Sequence, residues 1–437
     1  MRRPTLLAIA HIVRGAAAAL AIAAPPAAAD DAAQPRSPSW LQTSAEYRVR
    51  LESVEGARFQ PRNDDAYALN RLRFGIMLRP QQSWRVVVQL QDARVFLNQQ
   101  PMRRPPFQDI IDARLAYVDI GSPAPTGLSV RAGRQELVFG DQRLIGNADW
   151  LNTGRSFDAV RASWRRDGWS LDAFAGFSVS VRPDRVNRPE PGSLLSGVNV
   201  MLPALVPAFN VEAYFFARRA PNQATEAGPA AVLHSGTTGV RWRSAFHSPI
   251  DTGGEVAGQF GSAGGDAVRA SAGHWDIGYR VTESGWQPRF TSEYNYASGD
   301  HNPRDGRRGT FDQLYATGHD KHGLADQVGW RNVNDVREGL DLRVAARWQT
   351  RVRYTSWWLA STADALYDAA GAIVARSTSP AVPRHVGQEL DVQATFTGPH
   401  RMNVAAGYAH IFPGAFLDAV TPGRSYSYPF VSFGLSF

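Results

Sequence analysis

Apolar and polar residues alternate with a period of two along most of the chain. In segment 67–78, Leu72, Phe74 and Ile76 alternate with Arg71 and Arg73, and segment 430–437 repeats the pattern. This period places apolar side chains on one face of a strand and polar side chains on the other. About eighteen such segments follow one another, so the pattern predicts an all-β protein.

The connections between these segments alternate between short and long. The short ones lie near residues 80–83, 165–168, 203–206, 281–286 and 398–400, and the long ones are 53–66, 99–110, 138–156, 182–193, 220–233, 299–335, 361–383 and 413–427. A single strand of this type would also suit a soluble sandwich. Alternating loop lengths, however, are typical of membrane barrels, which have short periplasmic turns and longer extracellular loops. We therefore predict a transmembrane antiparallel up-and-down β-barrel of about 18 strands, and expect loop 299–335 to fold over its mouth.

Both ends of the chain favour export to the outer membrane. Arg2 and Arg3 precede an apolar, alanine-rich stretch, and Ala27–Ala29 form a small-residue cleavage site. We predict a cleaved signal peptide at residues 1–29, a short periplasmic lead-in at 30–39 and the barrel at 40–437; an N-terminal membrane anchor is the alternative. The last strand ends on Phe437, the ending by which outer-membrane barrels are recognised by the barrel-assembly machinery.

Composition narrows the chemistry. The chain has no cysteine, which excludes disulfides and cysteine-based metal or redox sites. Its mean hydropathy of -0.30 would suit a soluble protein, but a barrel conceals its lipid face in alternation. The net charge is +7, and Lys321 is the only lysine among 47 basic residues. We expect no nucleic-acid partner and no cofactor.

Arginine falls repeatedly on the polar face of the predicted strands. The arginines with this parity include Arg48, Arg50, Arg71, Arg73, Arg114, Arg131, Arg343, Arg351 and Arg353, and the carboxylates include Glu389 and Asp391. In one interpretation these groups pair across strands and merely satisfy a polar lumen. In the other, surplus guanidinium groups form a track for anions, because a guanidinium stays protonated and matches a carboxylate.

Other candidate sites carry weaker signals. His319, Asp320 and His322 contain metal-ligand types, but their spacing is not typical of a metal site, and we interpret the segment as a solvated loop. The pairs Gly253–Gly254 and Gly264–Gly265 are predicted turns at strand ends. No nucleophile-elbow sequence is present, so the sequence predicts no catalytic site, and a barrel enzyme remains a minor alternative.

A set of motifs resembles the alginate export family of outer-membrane proteins. The motifs are Gly133–Leu137, Gly140–Gly146, Asp149–Trp150, Asn152, Arg155–Arg161, Trp358–Ala360, Asp364–Tyr367, Gly371, Arg384–Asp391, Gly407–Tyr408 and Phe412–Phe416. The resemblance implies an eighteen-stranded barrel whose arginine-lined, electropositive lumen passes an acidic polysaccharide of uronates. It also implies that some charged residues of the central block line or brace the constriction: Arg134, Glu136, Asp141, Arg143, Arg155, Asp158 and Arg161. The alternative is that this block is a folding signature, a charged loop entry with paired arginine and aspartate.

Residues and resemblance together predict a non-enzymatic porin in the outer membrane of a Gram-negative bacterium. We expect it to pass an alginate-like polyuronate or oligosaccharide through an arginine-lined channel, in contact with outer-membrane lipid, and a periplasmic export complex is a candidate partner. The alternative is an anion-selective general or nutrient-uptake porin for small carboxylated solutes. An adhesion or assembly barrel with a plugged lumen is a further alternative.

Overall fold

The computed structural model describes residues 38–121, 126–202, 208–226, 228–244, 249–281, 285–399 and 401–437. Residues 40–437 form one compact unit. The predicted signal peptide and most of the predicted lead-in lie outside the described residues.

Eighteen long strands form a closed antiparallel sheet within these described ranges. They are β1 (Leu41–Val54), β2 (Asp65–Gln81), β3 (Trp84–Phe96), β4 (Asp109–Gly121), β5 (Gly127–Gln135), β6 (Phe157–Arg166), β7 (Trp169–Ser180), β8 (Leu194–Leu202), β9 (Phe209–Gln223), β10 (Ala231–Ser244), β11 (Ile250–Ala263), β12 (Asp266–Arg280), β13 (Arg289–Ala297), β14 (Val333–Ala345), β15 (Trp348–Leu359), β16 (His385–Thr397), β17 (Asn403–Pro413) and β18 (Tyr426–Ser436). The shorter elements are a 3-10 turn (Ala57–Phe59), a helix (Ala415–Val420), a small hairpin (Ala365–Tyr367 with Ile373–Arg376) and the two-residue strands Arg188–Pro189 and Arg307–Arg308.

The sheet closes because its first and last strands pair. Val49 of β1 lies opposite Phe433 of β18. Beyond β18, the amide of Phe437 donates to the carbonyl of Ala45 at 2.8 Å. Closure leaves no unpaired edge, which a lipid environment requires. The predicted eighteen-stranded antiparallel barrel is confirmed.

The burial pattern is the reverse of that in a soluble protein. In β2, Leu72 and Phe74 are 48% and 45% exposed, whereas Arg71 and Arg73 are 1% and 4% exposed. The same alternation puts large apolar side chains on the outer surface of most strands. Such a surface suits lipid, so the charged face is the lumenal one.

The long connections lie at one end of the barrel, here called the loop end, and the short ones at the turn end. All eight long connections of the sequence analysis join consecutive strands at the loop end. The ninth connection there is the predicted turn Gly264–Gly265, which joins β11 to β12. The prediction of a turn at Gly253–Gly254 is wrong, because both glycines lie inside β11. A Cβ at either position would collide with Arg243 or Trp242, so a strand glycine there makes room for a neighbouring side chain.

Two loops fold into the barrel and fill much of it. Inner loop 1 (residues 136–156) and inner loop 2 (residues 298–332) contribute Leu137, Ile145, Phe311 and Trp330 to a buried apolar cluster that also contains Trp357 of the wall. Inner loop 2 thus descends into the lumen rather than only covering the mouth. No helix in the described ranges has the length and apolar character needed to cross a membrane.

Replacing Phe74 by arginine tests the lipid face. Phe74 lies near the middle of β2 with its ring outward. The substitution should reduce the free energy of unfolding by about 2–4 kcal/mol, because it places a charge near the bilayer midplane. Urea-dependent unfolding from lipid vesicles would measure it.

Ile120→Arg is the matched control. Ile120 is also outward-facing, at 59% exposed, but lies at the turn end of β4, where the interface would reduce the cost to about 0–1 kcal/mol. Equal, small costs for both variants would mean that this surface does not face lipid.

Candidate functional site

The two inner loops join each other across the lumen. The amide of Gly146 donates to the carbonyl of Tyr315 at 3.0 Å, and the amide of Tyr315 donates to the carbonyl of Leu144 at 2.8 Å. A third backbone bond, from Thr317 to Gln142, measures 2.9 Å. The loops therefore act as one unit that narrows the barrel from two sides.

Arg155 fastens this junction. Its guanidinium donates to three carbonyl oxygens: Gly146 in its own loop, and Tyr315 and Ala316 in the other. Burial lowers the pKa of Arg155 to about 10, which leaves it charged at neutral pH. This residue, predicted from the family block, is thus placed to brace the constriction rather than to meet solutes.

Inner loop 1 is held to the wall by Arg48, Arg71 and Arg73 of β1 and β2, which bind Asp149; this set, with Trp150 and Arg50, is here called the clamp. Arg48 and Arg71 donate to the carbonyl of Asp149 at 2.8 and 2.9 Å. Arg73 donates to the Asp149 carboxylate at 2.7 Å, and Arg71 also pairs with Glu46. Burial alone would raise the pKa of Asp149, but Arg71, Arg73 and Arg48 outweigh it and hold that pKa far below its usual range. The carboxylate is therefore a permanent partner of these arginines.

Trp150 is the apolar part of the same clamp. The guanidinium carbon of Arg50 lies 3.8 Å from its ring centroid, and His319 of inner loop 2 stacks on it with 3.9 Å between centroids. Phe430 of β18 contacts the ring edge-on at 5.0 Å. One side chain thus links the barrel seam to both inner loops.

Two further predicted residues, Arg114 of β4 and Glu136 of inner loop 1, support this loop. Arg114 is buried and pairs with Glu136, and it also donates to Gln89 at 3.0 Å. Glu136 in turn accepts a bond from the side chain of Asn147 at 3.0 Å. These contacts tie the start of the loop to its own middle.

Inner loop 2 rests on buried carboxylates of β16. The amides of Ala325 and Leu324 donate to Glu389 and Asp391 at 3.2 and 3.3 Å. Arg337 lies 3.8 Å from Asp391 and donates to the carbonyl of Asp320 at 2.7 Å. Glu389 and Asp391 therefore support the loop backbone.

The expectation of a solvated loop at 319–322 is wrong. His322 is 2% exposed and lies 2.8 Å from Asp335, while His319 lies 2.8 Å from Asp326 and stacks on Trp150. His322 is buried and residues 319–321 are partly buried, because inner loop 2 carries this segment into the lumen. Within the described ranges, no group of three histidine or acidic side chains is arranged to hold a metal ion.

Three cations lie beside the contact between the two inner loops. They are Arg243 and Arg351 of the wall and Lys321 of inner loop 2, here called the cationic belt. Arg243 pairs with Asp141 of inner loop 1 at 2.9 Å, and Arg351 pairs with Asp320 of inner loop 2 at 3.0 Å. The two belt arginines are 41% and 44% exposed at their side chains, unlike the buried arginines of the clamp. Arg243 also pairs with Asp276 of β12 at 2.7 Å, so both belt arginines are partly exposed and are paired with carboxylates.

Lys321 lies close enough to both ion pairs to interact with Asp141 and Asp320. In the described part of the chain its ammonium group has no hydrogen bond or ion pair of its own. Burial, together with the nearby Arg143, lowers the pKa of Lys321. Burial would raise the pKa of Asp141 and of Asp320, but the surrounding cations, chiefly Arg243 for the first and Arg337 for the second, keep both below the usual range.

The remaining predicted residues lie away from the contact between the two inner loops or support it from the barrel wall. Arg143 is buried and reaches His274 at 3.1 Å on the opposite wall. Arg134 pairs with Asp158 at 2.8 Å and donates to the carbonyl of Asn187, which ties down loop 181–193. The others are satisfied within the wall or exposed: Arg131 pairs with Asp119, Arg161 with Asp172 and Arg353 with Asp341, while Arg343 is exposed near the turn end.

Sequence reasoning missed several residues of this arrangement. Asp149 and Trp150 lie in a motif of the family, but the motif alone indicates no role for them, and the sequence places Asp320 and Lys321 in a solvated loop. Arg337 has the lumenal parity of its neighbours Asp335 and Asp341, and that parity is the signal by which it could have been found.

Solved outer-membrane proteins share this architecture. OccD3 (OpdP) of Pseudomonas aeruginosa matches with a TM-score of 0.58 and 13% identity, over 90% of this chain and 91% of that chain. OpdK of the same organism, solved with vanillate, matches with a TM-score of 0.57 and 10% identity, over 90% and 98%. OccAB2 of Acinetobacter baumannii matches at 0.59 and 9%, over 92% and 99%. At such identities the likeness establishes the fold.

Sequence comparison establishes the family. No curated protein matches the chain. The family model described as alginate export, however, matches residues 39–431, which is nearly the whole chain. With a closed barrel, an apolar outer surface and loops that narrow a charged lumen, the chain belongs to the alginate export family and is a non-enzymatic β-barrel channel of the Gram-negative outer membrane.

Proposed function

We propose that this channel passes carboxylated saccharides by diffusion past the cationic belt. The observation that carries the proposal is the exposure of Arg243 and Arg351 beside the loop junction, with Lys321 between them. Each cation would replace part of the hydration shell of a passing carboxylate. Asp141 and Asp320 share these cations, which would keep each contact weak enough to release the solute.

The inner loops favour short solutes. They are joined by backbone hydrogen bonds and packed into a buried apolar cluster, so they occupy space that a wide channel would leave open. A uronate monomer or short oligomer, which carries one carboxylate per sugar, fits a narrow route with a few exposed cations. The structural neighbour OpdK was solved with vanillate, which is itself a carboxylate.

Passage of a long polyuronate is the second candidate, and the family description favours it. In that role a periplasmic complex would supply the polymer, and the same belt would contact its carboxylates in succession. We further propose that the barrel-assembly machinery recognises the last strand through Phe437, whose backbone pairs with Ala45 at the seam.

Single-channel currents under a salt gradient test the proposal. The wild-type protein in a planar bilayer should prefer anions, and short oligouronates should block its current. Lys321→Gln combined with Arg351→Gln should reduce this preference severalfold, because both substitutions remove charge from the lumen. Arg347→Gln is the matched control, since Arg347 is exposed in the turn between β14 and β15.

Weak selectivity in the wild-type protein, or equal selectivity in both variants, would contradict a role for the belt. Blockage by short oligouronates and also by long alginate would favour the polymer candidate. Blockage by the short forms alone would favour the small-solute channel.

The pH dependence of the anion preference should reveal the contribution of the charge on Lys321. Burial and Arg143 lower the pKa of Lys321 below its usual value of 10.5, so its charge is lost at a lower pH than that of a free lysine. As the pH rises towards 10, anion preference should therefore fall while the arginines of the belt stay protonated. Lys321→Arg should remove this decline. A decline that persists in Lys321→Arg would place the titrating group elsewhere.

The clamp should control how firmly inner loop 1 stays docked on the wall. Arg71→Met removes the bonds to Asp149 and Glu46 while keeping an unbranched side chain, so inner loop 1 should undock more often. The expected result is a severalfold increase in current fluctuations at neutral pH. Arg94→Met is the control, because the side chain of Arg94 pairs with Asp92 on its own strand and, within the described ranges, with no inner-loop residue. Equal fluctuation in the two variants would mean that the clamp does not hold the loop.

A further inference from the structure

A cavity lies at the loop end, between the wall and inner loop 2. Its wall side is formed by strands β9 to β12, with Arg218, Ser235 and Gln259, and its loop side by Arg308, Asp312 and Arg331. Its volume is about 120 Å³, and it opens in part to solvent. Neither the clamp nor the cationic belt contributes a side chain to it.

The charge of this cavity is unbalanced. Three of its lining residues are arginines, and Asp312 is its only acidic lining residue among the described residues. Asp312 is already engaged, since it pairs with Arg218 and accepts the amide of Leu314 at 3.1 Å. Burial would raise its pKa, but Arg218 and Arg331 hold that pKa below the usual range, so one negative charge faces three positive ones.

Several polar atoms on the residues that line the cavity lack a partner. Arg218 Nε, Arg308 Nη1, Arg331 Nε and Ser235 Oγ are all buried and form no hydrogen bond within the described structure. Ser235 is 7% exposed, so its hydroxyl cannot rely on bulk solvent. Buried donors without acceptors are costly, and four of them in one cavity indicate a place for a ligand that accepts hydrogen bonds.

The scaffold around these atoms is rigid. Gln259 receives the amide of Asp312 at 2.8 Å and donates to its carbonyl at 2.7 Å, which fixes inner loop 2 to the wall. The guanidinium carbon of Arg331 lies 4.6 Å from the ring centroid of Tyr367, which belongs to the small hairpin. The unpartnered donors are therefore held in place before any ligand arrives, which lowers the cost of binding.

We infer that this cavity, here called the vestibule pocket, binds one sugar acid before the sugar acid reaches the cationic belt. The carboxylate is placed between Arg308 and Arg331, where guanidinium groups offer paired donors. Sugar hydroxyls meet Ser235 and the glutamine side chains of the lining. The inference rests on the proposed function for its solute class, but its site is separate.

Calorimetric titration of the folded mature chain in detergent tests the pocket, with D-glucuronate as the probe. Glucuronate should bind with saturation, D-glucose should not bind, and acetate should bind more weakly than glucuronate. Arg308→Gln and Arg331→Gln should each weaken glucuronate binding at least tenfold. Arg304→Gln is the matched control, because Arg304 is an exposed residue of the same loop and does not line the pocket.

Heat-dependent gel mobility of each variant verifies that the barrel is folded. The inference is overturned if wild-type protein shows no saturable binding, if glucose binds as tightly as glucuronate, or if folded Arg308→Gln and Arg331→Gln both bind like the wild-type protein.

Bilayer currents from the same preparations separate the two proposals. Anion-selective current without calorimetric binding would refute the pocket and leave the channel proposal intact. Saturable glucuronate binding that both arginine variants lose, in a channel without anion preference, would support the pocket and refute the role of the cationic belt.

Discussion

Closure of the sheet is the constraint on which the rest of this structure depends. A bilayer offers no hydrogen-bond partner to a free strand edge, so β1 must find β18 before the wall can exist in lipid. Pairing of Val49 with Phe433 and of Phe437 with Ala45 satisfies that requirement. Once the wall is closed, every second side chain of each strand points into the lumen. The charged groups there must be balanced by protein partners, water or solutes.

Many of the lumenal arginines find partners in the inner loops. Arg48 and Arg71 bind backbone carbonyls, and Arg155 joins one loop to the other through three of them. Carbonyl oxygens satisfy a guanidinium without cancelling its charge. Bracing by carbonyl oxygens therefore leaves part of the lumenal charge uncancelled. Buried arginines such as Arg155 hold the loops, whereas the partly exposed Arg243 and Arg351 pair with carboxylates of the inner loops.

The wall was predictable from the sequence, whereas the filling of the lumen was not. Alternation is a local property, so β2 with its Arg71 and Phe74 could be assigned to opposite faces from the sequence alone. The fate of His322 depends on where a 35-residue loop docks, which is decided by contacts with Asp335 and with the wall. Gly253 and Gly254 resemble a turn locally, but the space they leave is filled by Arg243 and Trp242 of the adjacent strand. Asp149 and Trp150 have no periodicity to reveal them, because they belong to an irregular segment whose shape the wall imposes.

The surroundings of Trp150 imply an order of folding. Its ring touches Arg50 near the start of the barrel, His319 in the other inner loop and Phe430 in the last strand. These partners are far apart along the chain and come together only when the seam has formed. Contacts between residues so distant in sequence require a large loss of chain entropy. Closure of the wall already brings these segments together, so little further entropy is lost when the contacts form. We therefore expect the inner loops to dock only after the wall has closed, so that a newly closed barrel has a wider lumen until they do.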